Sequence, residues 1–375
     1  MGDGAGVSLV ECVKRNVPRV SDRVAEVLRM YDMPLEAAAA HKVRGEVPGP
    51  GQRWGIGAIV GPSGSGKSVI ARRAFGKSVA RLRPWPRRRA ILDGFADHPL
   101  ERITATLTAV GLGSPPAWLR TYRQLSAGEK FRCDLARALL ESGDPVVFDE
   151  FGCPVDRQTR QMAASAIARG VRSGVISRRF VAVTCHEDVL AWLEPDWVLN
   201  MATGELSWGW VQCRAPFELA ITRCDMAAWS LFEPHHYLSR RMHPAARCYA
   251  AWWRDQPVAF CATLNQAGVR RMRRISRLVV RPLFQGLGIG RRMAGSIAAM
   301  EAGEGFRIRL VTGHRVFAVA LQRHPRWRLA AIDRRRRPHR GALAGREDRQ
   351  GRQRMQFSFE WQSALPVANA QEGEQ

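Results

Sequence analysis

The chain has 375 residues and carries 58 basic against 34 acidic side chains, a formal charge of +24. That length allows two or three domains with proper cores, and the apolar runs are short and broken by Arg or Gly, so no membrane span is expected. The start has no basic stretch leading into an apolar one, and eight scattered cysteines form no C-x-x-C pair; neither a leader, a zinc site nor a disulfide framework is indicated, and a cytoplasmic setting is expected.

Residues 21–30 have the spacing of an amphipathic helix with Ser21 as its cap. Residues 37–40, four alanines, extend the helical pattern, and residues 47–51 break it. This region is expected to supply the first strands of a nucleotide-binding domain. Residues 54–60 are an apolar run that reads as a buried strand, and residues 68–75 read as the first turns of a helix. Between them Gly61, Pro62, Ser63, Gly64, Ser65, Gly66, Lys67 and Ser68 fit the pattern G-x-x-x-x-G-K-[ST]. Its glycines let backbone N–H groups turn inward around a phosphate without Cβ clashes, and the helix N-terminus adds partial positive charge. Lys67 is expected to reach the β- and γ-phosphates of ATP, and the Ser68 hydroxyl to hold Mg²⁺.

An Arg/Pro segment, residues 81–89, precedes a predicted short strand at residues 90–92. Residues 100–110 alternate in a helical manner and residues 111–116 form a turn. Next comes Leu125-Ser126-Ala127-Gly128-Glu129 at the head of an amphipathic helix. The apolar strand 145–148 then ends in Asp149 and Glu150. Asp149 is expected to anchor the Mg²⁺ shell and Glu150 to polarise an attacking water, because hydrolysis needs a metal clamp and an oriented nucleophile. Asp156, a helix over 157–172, a strand over 180–184, His186 and a closing hairpin within 196–207 follow in order.

This ordered set over residues 10–210 resembles the ATP-binding-cassette (ABC) ATPases. The stretch 125–129 is similar to their L-S-G-G-E signature, with Ala127 in place of one glycine. The resemblance implies that Ser126, Gly128 and Glu129 meet the γ-phosphate held by a second subunit. It also implies that Asp156 is the dimer-contacting aspartate and that His186 is the switch histidine sensing the γ-phosphate. A homodimer through ATP-sandwiched cassettes is therefore expected. Two features depart from the pattern: Lys67 and Ser126 are only 59 residues apart, and no Gln occurs between Ser68 and Arg123. Asp93 is the expected stand-in for that glutamine. Both departures favour a soluble ATPase over a transporter subunit, which stays as an alternative.

The second half begins near residues 209–216. Residues 211–375 hold 29 Arg and no Lys against 12 acidic residues. A GC-rich genome accounts for Arg in place of Lys but not for the excess over acid, so a polyanionic partner, nucleic acid above all, is expected. A strand at 218–222, a helix at 225–232 and a hairpin joining 246–253 to 257–263 are predicted. A strand at 275–282 then leads into Gln285, Gly286, Gly288 and Gly290 and a helix at 291–302. This resembles the acetyl-CoA loop of GCN5-related N-acetyltransferases (GNAT). There, successive amides at a helix start hold the pyrophosphate of coenzyme A. The resemblance implies that the backbone of Leu278–Val280 pairs with the pantetheine arm, with Arg281 and Arg291 adding charge. Glu233, His235, His236 and Tyr237 either move protons at the substrate or terminate a helix and pack in the core. Residues 334–340, rich in Arg, are a solvated loop or a phosphate-contacting one.

The fold class expected is α/β: a P-loop ABC-type ATPase domain at 1–210, then a mixed α/β GNAT-like acyltransferase domain at 211–375. This pairing closely resembles ABC-type ATPases with a predicted acetyltransferase domain, found in phages and bacterial mobile elements. The resemblance implies a cytoplasmic ATPase that transfers an acyl group to nucleic acid or a nucleic-acid-bound acceptor. A non-catalytic, ATP-driven DNA-binding module is the other alternative.

Overall fold

The computed structural model describes residues 7–15, 19–32, 40–49, 51–95, 98–209, 218–236, 241–335 and 354–363. It divides into two units, Met1–Ala215 and Pro216–Gln375. In the first, β1 (Val7–Arg15) precedes α1 (Asp22–Met30), whose N-cap Ser21 accepts a hydrogen bond from the Val24 amide at 3.4 Å. β2 (Ala40–Pro48) pairs antiparallel with β1. Ala40 is therefore strand, where its alanine run predicts helix; residues 37–39 lie outside the described residues. Then follow β3 (Ile56–Val60), α2 (Lys67–Phe75), α3 (Leu100–Ala109), α4 (Pro115–Trp118), α5 (Ala127–Glu141), β4 (Val146–Phe148), α6 (Arg157–Arg172), β5 (Phe180–Thr184), α7 (Leu190–Leu193), β6 (Trp197–Asn200) and β7 (Glu205–Trp208).

The sheet order is β4-β5-β3-β6-β7, parallel except for β7. β3 lies in the middle and is buried at all five positions, as a continuous apolar run requires of a strand covered on both faces. Ile56, Ala58 and Val60 join a core with Leu135, Phe148 and Ile167, whereas Ile59 joins Val43, Ile70 and Trp197 on the other face. Gly57 has no alternative at its place: a Cβ there would lie 2.2 Å from the Trp197 ring. The predicted strand at 90–92 is instead a 3-10 turn, Ile91–Gly94, closed by the Asp93 amide on the Ala90 carbonyl at 3.0 Å. Only Ala90 bridges, to Thr121. Three apolar residues followed by Asp-Gly are too short a run to outweigh turn chemistry.

In the second unit, β8 (Ala220–Cys224), β9 (Arg247–Trp253), β10 (Gln256–Asn265) and β11 (Met272–Val280) precede α8 (Ile289–Gly303), β12 (Arg307–Thr312), α9 (Arg315–Gln322), β13 (Trp327–Arg335) and β14 (Arg354–Trp361). They build a seven-stranded sheet in the order β13-β14-β12-β11-β10-β9-β8. The predicted hairpin joins β9 and β10 through Arg254 and Asp255, both at positive φ. The segment predicted as helix at 225–232 is a 3-10 helix, Met226–Leu231, started by Asp225, which accepts from the Ala227 amide at 2.7 Å. Every pairing is antiparallel except β11 with β12. That parallel pairing runs only from Met272↔Arg307 to Ile275↔Leu310, so the second half of β11 pairs with β10 alone.

A buried charge ties α8 to the sheet. Glu301 is fully buried, and its carboxylate accepts from Tyr249 Oη at 2.9 Å, Thr263 Oγ1 at 2.6 Å and Arg273 at 3.0 and 3.1 Å. Those partners come from β9, β10 and β11, so one helix residue fixes the register of α8 against three strands. Removing one member leaves a guanidinium without its counter-ion in a water-free place, and such a loss costs about 3–5 kcal/mol. Glu301→Ala should lower the unfolding free energy by that amount in denaturant titrations. Glu301→Gln should cost less, because its amide oxygen still accepts from Tyr249 and Thr263. An unchanged midpoint for Glu301→Ala would refute this role.

Candidate functional site

The first candidate site lies where β3 meets α2. Gly61, Gly64 and Gly66 have φ of 150°, 82° and 90°, and Gly66 is the N-cap of α2 in the left-handed region. A Cβ on Gly66 would also lie 2.6 Å from Val43 of β2, so that strand closes over the loop. Ser63, between Pro62 and Gly64, is exposed. Lys67 folds back on the loop, donating to the Gly61 and Pro62 carbonyls at 2.8 and 2.7 Å. The Ser65 hydroxyl is buried and hydrogen-bonds nothing among the described residues. Helix-start amides without a side-chain cap and a buried unpartnered hydroxyl suit an anion with several acceptor oxygens.

The Ser68 hydroxyl donates to Asp149 Oδ1 at 2.9 Å, joining residues 81 apart in sequence. Asp149 also faces Arg72 at 3.7 Å. Glu150 follows at φ 58°, a left-handed conformation that costs a side-chain-bearing residue about 1–3 kcal/mol and clusters at functional places. Two bonds hold that turn: the Glu150 amide donates to Asp149 Oδ1 at 3.1 Å, and the Phe151 amide to the Val183 carbonyl at 2.8 Å. Thr184, fully buried, connects the turn to the next loop. Its hydroxyl donates to the Phe151 carbonyl at 2.8 Å and accepts from the His186 amide at 3.1 Å. Burial, then the Arg160 guanidinium, hold the His186 imidazole below its ordinary pKa, against Asp188.

Ser126 is the N-cap of α5 in a capping box. Its Oγ accepts from the Glu129 amide at 3.3 Å and its own amide donates to Glu129 Oε2 at 2.8 Å. Both side chains thus serve the helix start. Gly128 lets α5 approach α6, since a Cβ there would lie 2.9 Å from Thr159. Asp156 caps α6, accepting from the Thr159 amide at 2.9 Å and hydroxyl at 2.6 Å. Burial pushes its carboxyl up, but these hydrogen bonds hold it below the usual range. Asp93 is exposed on its 3-10 turn.

Three residues that the sequence separates come together beside this site. Cys153 and Cys185, both exposed, have Sγ atoms 3.9 Å apart, and a ring nitrogen of His186 lies with them in a cluster no wider than 4.8 Å. The cysteine spacing along the chain indicates no zinc site, yet the fold brings these three side chains together. Spacing along the chain misses the group because β4 and β5 are parallel neighbours, which places the loops after them side by side. Burial and the neighbouring Cys185 push the Cys153 thiol up to about 11.

The second candidate site lies where β11 meets α8. Gly286 and Gly288 have φ of 83° and 75°, and Gly288 is the left-handed N-cap of α8. The Gln285 side-chain amide donates to the Val280 carbonyl at 3.0 Å and so closes the loop on the strand end. Leu278 and Val280 face the helix start: a Cβ on Gly290 would lie 3.9 Å from one and 3.5 Å from the other. Arg281 donates to the Pro257 carbonyl at 3.4 Å, and Arg291 is half-buried in the first turn of α8. The uncapped helix start suits a diphosphate, and the half of β11 unpaired with β12 suits an extended amide-bearing chain. Glu233 and His235 sit on a 3-10 turn, Glu233–His235, and the His236 ring stands edge-on to the buried Trp229 at 5.4 Å. Tyr237 and residues 336–340 lie outside the described residues.

Comparison with known proteins bears on the second unit. Residues 214–323 match the Acetyltransferase (GNAT) family. Among solved structures the chain is similar to an IAA acetyltransferase from Bacillus cereus, at 18% identity over 38% of this chain and 99% of that one, TM-score 0.29. It is also similar to the ribosomal-protein-S18-alanine N-acetyltransferase from Escherichia coli, at 16% identity over 42% and 99%, TM-score 0.31. A third is a GNAT family acetyltransferase from Elizabethkingia anophelis with acetyl-CoA bound, at 12% identity over 38% and 97%, TM-score 0.29. No curated protein sequence matches the chain. No described helix is long and apolar enough to cross a membrane. Residues 214–323, nearly all of them in the second unit, carry an acetyltransferase domain of the GNAT family.

Proposed function

We propose that the chain is an ABC-type ATPase joined to an acetyl-CoA-dependent N-acyltransferase, acting on nucleic acid or an acceptor bound to it. The observation that carries the ATPase half is the hydrogen bond of Ser68 to Asp149 at 2.9 Å. These are the two residues whose oxygens such a site uses to hold Mg²⁺, and they meet although 81 positions separate them. MgATP, when bound, supplies the phosphoanhydride that water cleaves. Gly64, Gly66 and the first amides of α2 would hold the phosphates, with Lys67 leaving the carbonyls it now contacts to reach them. Glu150 holds the attacking water through its carboxylate, and His186, a neutral imidazole at pH 7 by its lowered pKa, offers one nitrogen to the γ-phosphate. Ser126 and Gly128 at the start of α5 would meet the nucleotide of a second copy, which makes the working form a homodimer.

In the second unit, acetyl-CoA supplies the activated acyl group when bound. The α8 start around Gly288 and Gly290 would hold its diphosphate, and the free edge of β11 at Leu278–Val280 would orient its extended arm. Support for a polyanionic acceptor comes from charge. Exposed Arg270, Arg271 and Arg274 follow one another along the turn into β11, while Glu301, Glu304 and Glu360 are already paired with arginines.

Purified chain should hydrolyse ATP in the presence of Mg²⁺, and Glu150→Gln should slow turnover about a hundredfold or more while nucleotide still binds. Equal rates in the two proteins would sink the assignment. Gly288→Val places a β-branched residue at φ 75°, a strain of about 1–2 kcal/mol. Acetyl-CoA affinity by calorimetry should then fall about tenfold, 1.4 kcal/mol being one decade. Double-stranded DNA or tRNA should stimulate the ATPase, with an apparent affinity that drops steeply as salt rises. If neither alters the rate at any salt concentration, the acceptor is not a nucleic acid.

A further inference from the structure

We propose that Cys153, Cys185 and His186 form a binding site for a soft metal ion, Zn²⁺ in the first instance, with solvent as the fourth ligand. Two thiolates and an imidazole are a set that zinc takes in preference to harder cations. The geometry is nearly in place. Zinc–sulfur bonds of about 2.3 Å at a tetrahedral angle put two sulfurs about 3.8 Å apart. The Sγ atoms of Cys153 and Cys185 are 3.9 Å apart, and all three ligand atoms lie within 4.8 Å of one another. A disulfide would need about 2.05 Å, so the pair stands as two thiols. Both cysteines are exposed, so an ion can reach the site, and binding replaces only the weak thiol–thiol hydrogen bond between Cys153 and Cys185. Binding releases the two thiol protons to solvent and needs no oxidant.

The position gives the ion a consequence. The Cys153 amide donates to the Glu150 carbonyl at 3.1 Å, and Cys185 directly precedes His186. A filled site ties the loop carrying Glu150 to the loop carrying His186 and takes an imidazole nitrogen. This second part rests on the ATPase reading above: a metal that holds one ring nitrogen fixes the His186 ring beside the cysteines, so the ring can no longer turn towards the γ-phosphate and Zn²⁺ acts as an inhibitor of hydrolysis.

The test uses the full chain, reduced with a non-thiol phosphine. Co²⁺ should give a thiolate charge-transfer band at one ion per chain, displaced by Zn²⁺ and lost in Cys153→Ser and in Cys185→Ser. In the unaltered chain Zn²⁺ should protect these two cysteines from alkylation, read residue by residue by mass spectrometry. That readout does not depend on a variant folding. In the ATPase assay with excess Mg²⁺, Zn²⁺ should suppress the unaltered chain and leave the double Ser variant active. A missing Co²⁺ band together with unprotected Cys153 and Cys185 overturns the site. Metal binding without any change in ATP turnover overturns the inhibitory role. A chain that binds Co²⁺ at these residues yet hydrolyses no ATP under any condition supports the site and overturns the ATPase reading instead.

Discussion

One backbone constraint recurs in both units, and both candidate sites depend on it. A helix begins directly behind a strand, and its N-cap is a glycine in the left-handed region: Gly66 at φ 90° ahead of α2, Gly288 at φ 75° ahead of α8. A glycine cap has no side-chain oxygen to satisfy the first helical amides, unlike Ser126 and Asp156, which cap α5 and α6 with their own side chains. The contrast separates two kinds of helix start in one chain. Those at α5 and α6 carry a side-chain cap from their own N-cap residue, and those at α2 and α8 carry none, which suits an external anion.

Rigid support behind each open helix start keeps it in place. In the first unit β3 is buried on both faces and Val43 of β2 packs against Gly66, so the loop cannot relax inward. In the second, the buried Glu301 carboxylate joins α8 to β9, β10 and β11, which fixes the helix against the strand whose end meets its glycine loop. One unit thus uses apolar packing and the other a buried ion pair. The buried pair fixes register more sharply, because its partners must align as well as touch.

Parallel topology does the rest in the first unit. Because β4 and β5 are neighbours running the same way, the loops after them emerge together, and Thr184 bonds both. That arrangement places Glu150, Cys153, Cys185 and His186 in one neighbourhood. The cysteines therefore share the environment of the proposed hydrolytic site, which is why a metal bound there would act on it.

Sequence alone determined the local features. The continuous apolar run marked β3 as a buried strand, the glycine pattern marked both loops, and Asp149, Glu150 and His186 stood at or just beyond strand ends. These are legible because each depends on a few adjacent residues and on backbone sterics. Tertiary structure decided what depends on residues far apart. It joined Ser68 to Asp149, buried Glu301 among Tyr249, Thr263 and Arg273, turned 91–94 into a 3-10 turn, and brought Cys153 to Cys185 across 32 positions. No periodicity marks such meetings. They follow from the order of strands in the sheet, set by the burial of all faces at once rather than by any single segment.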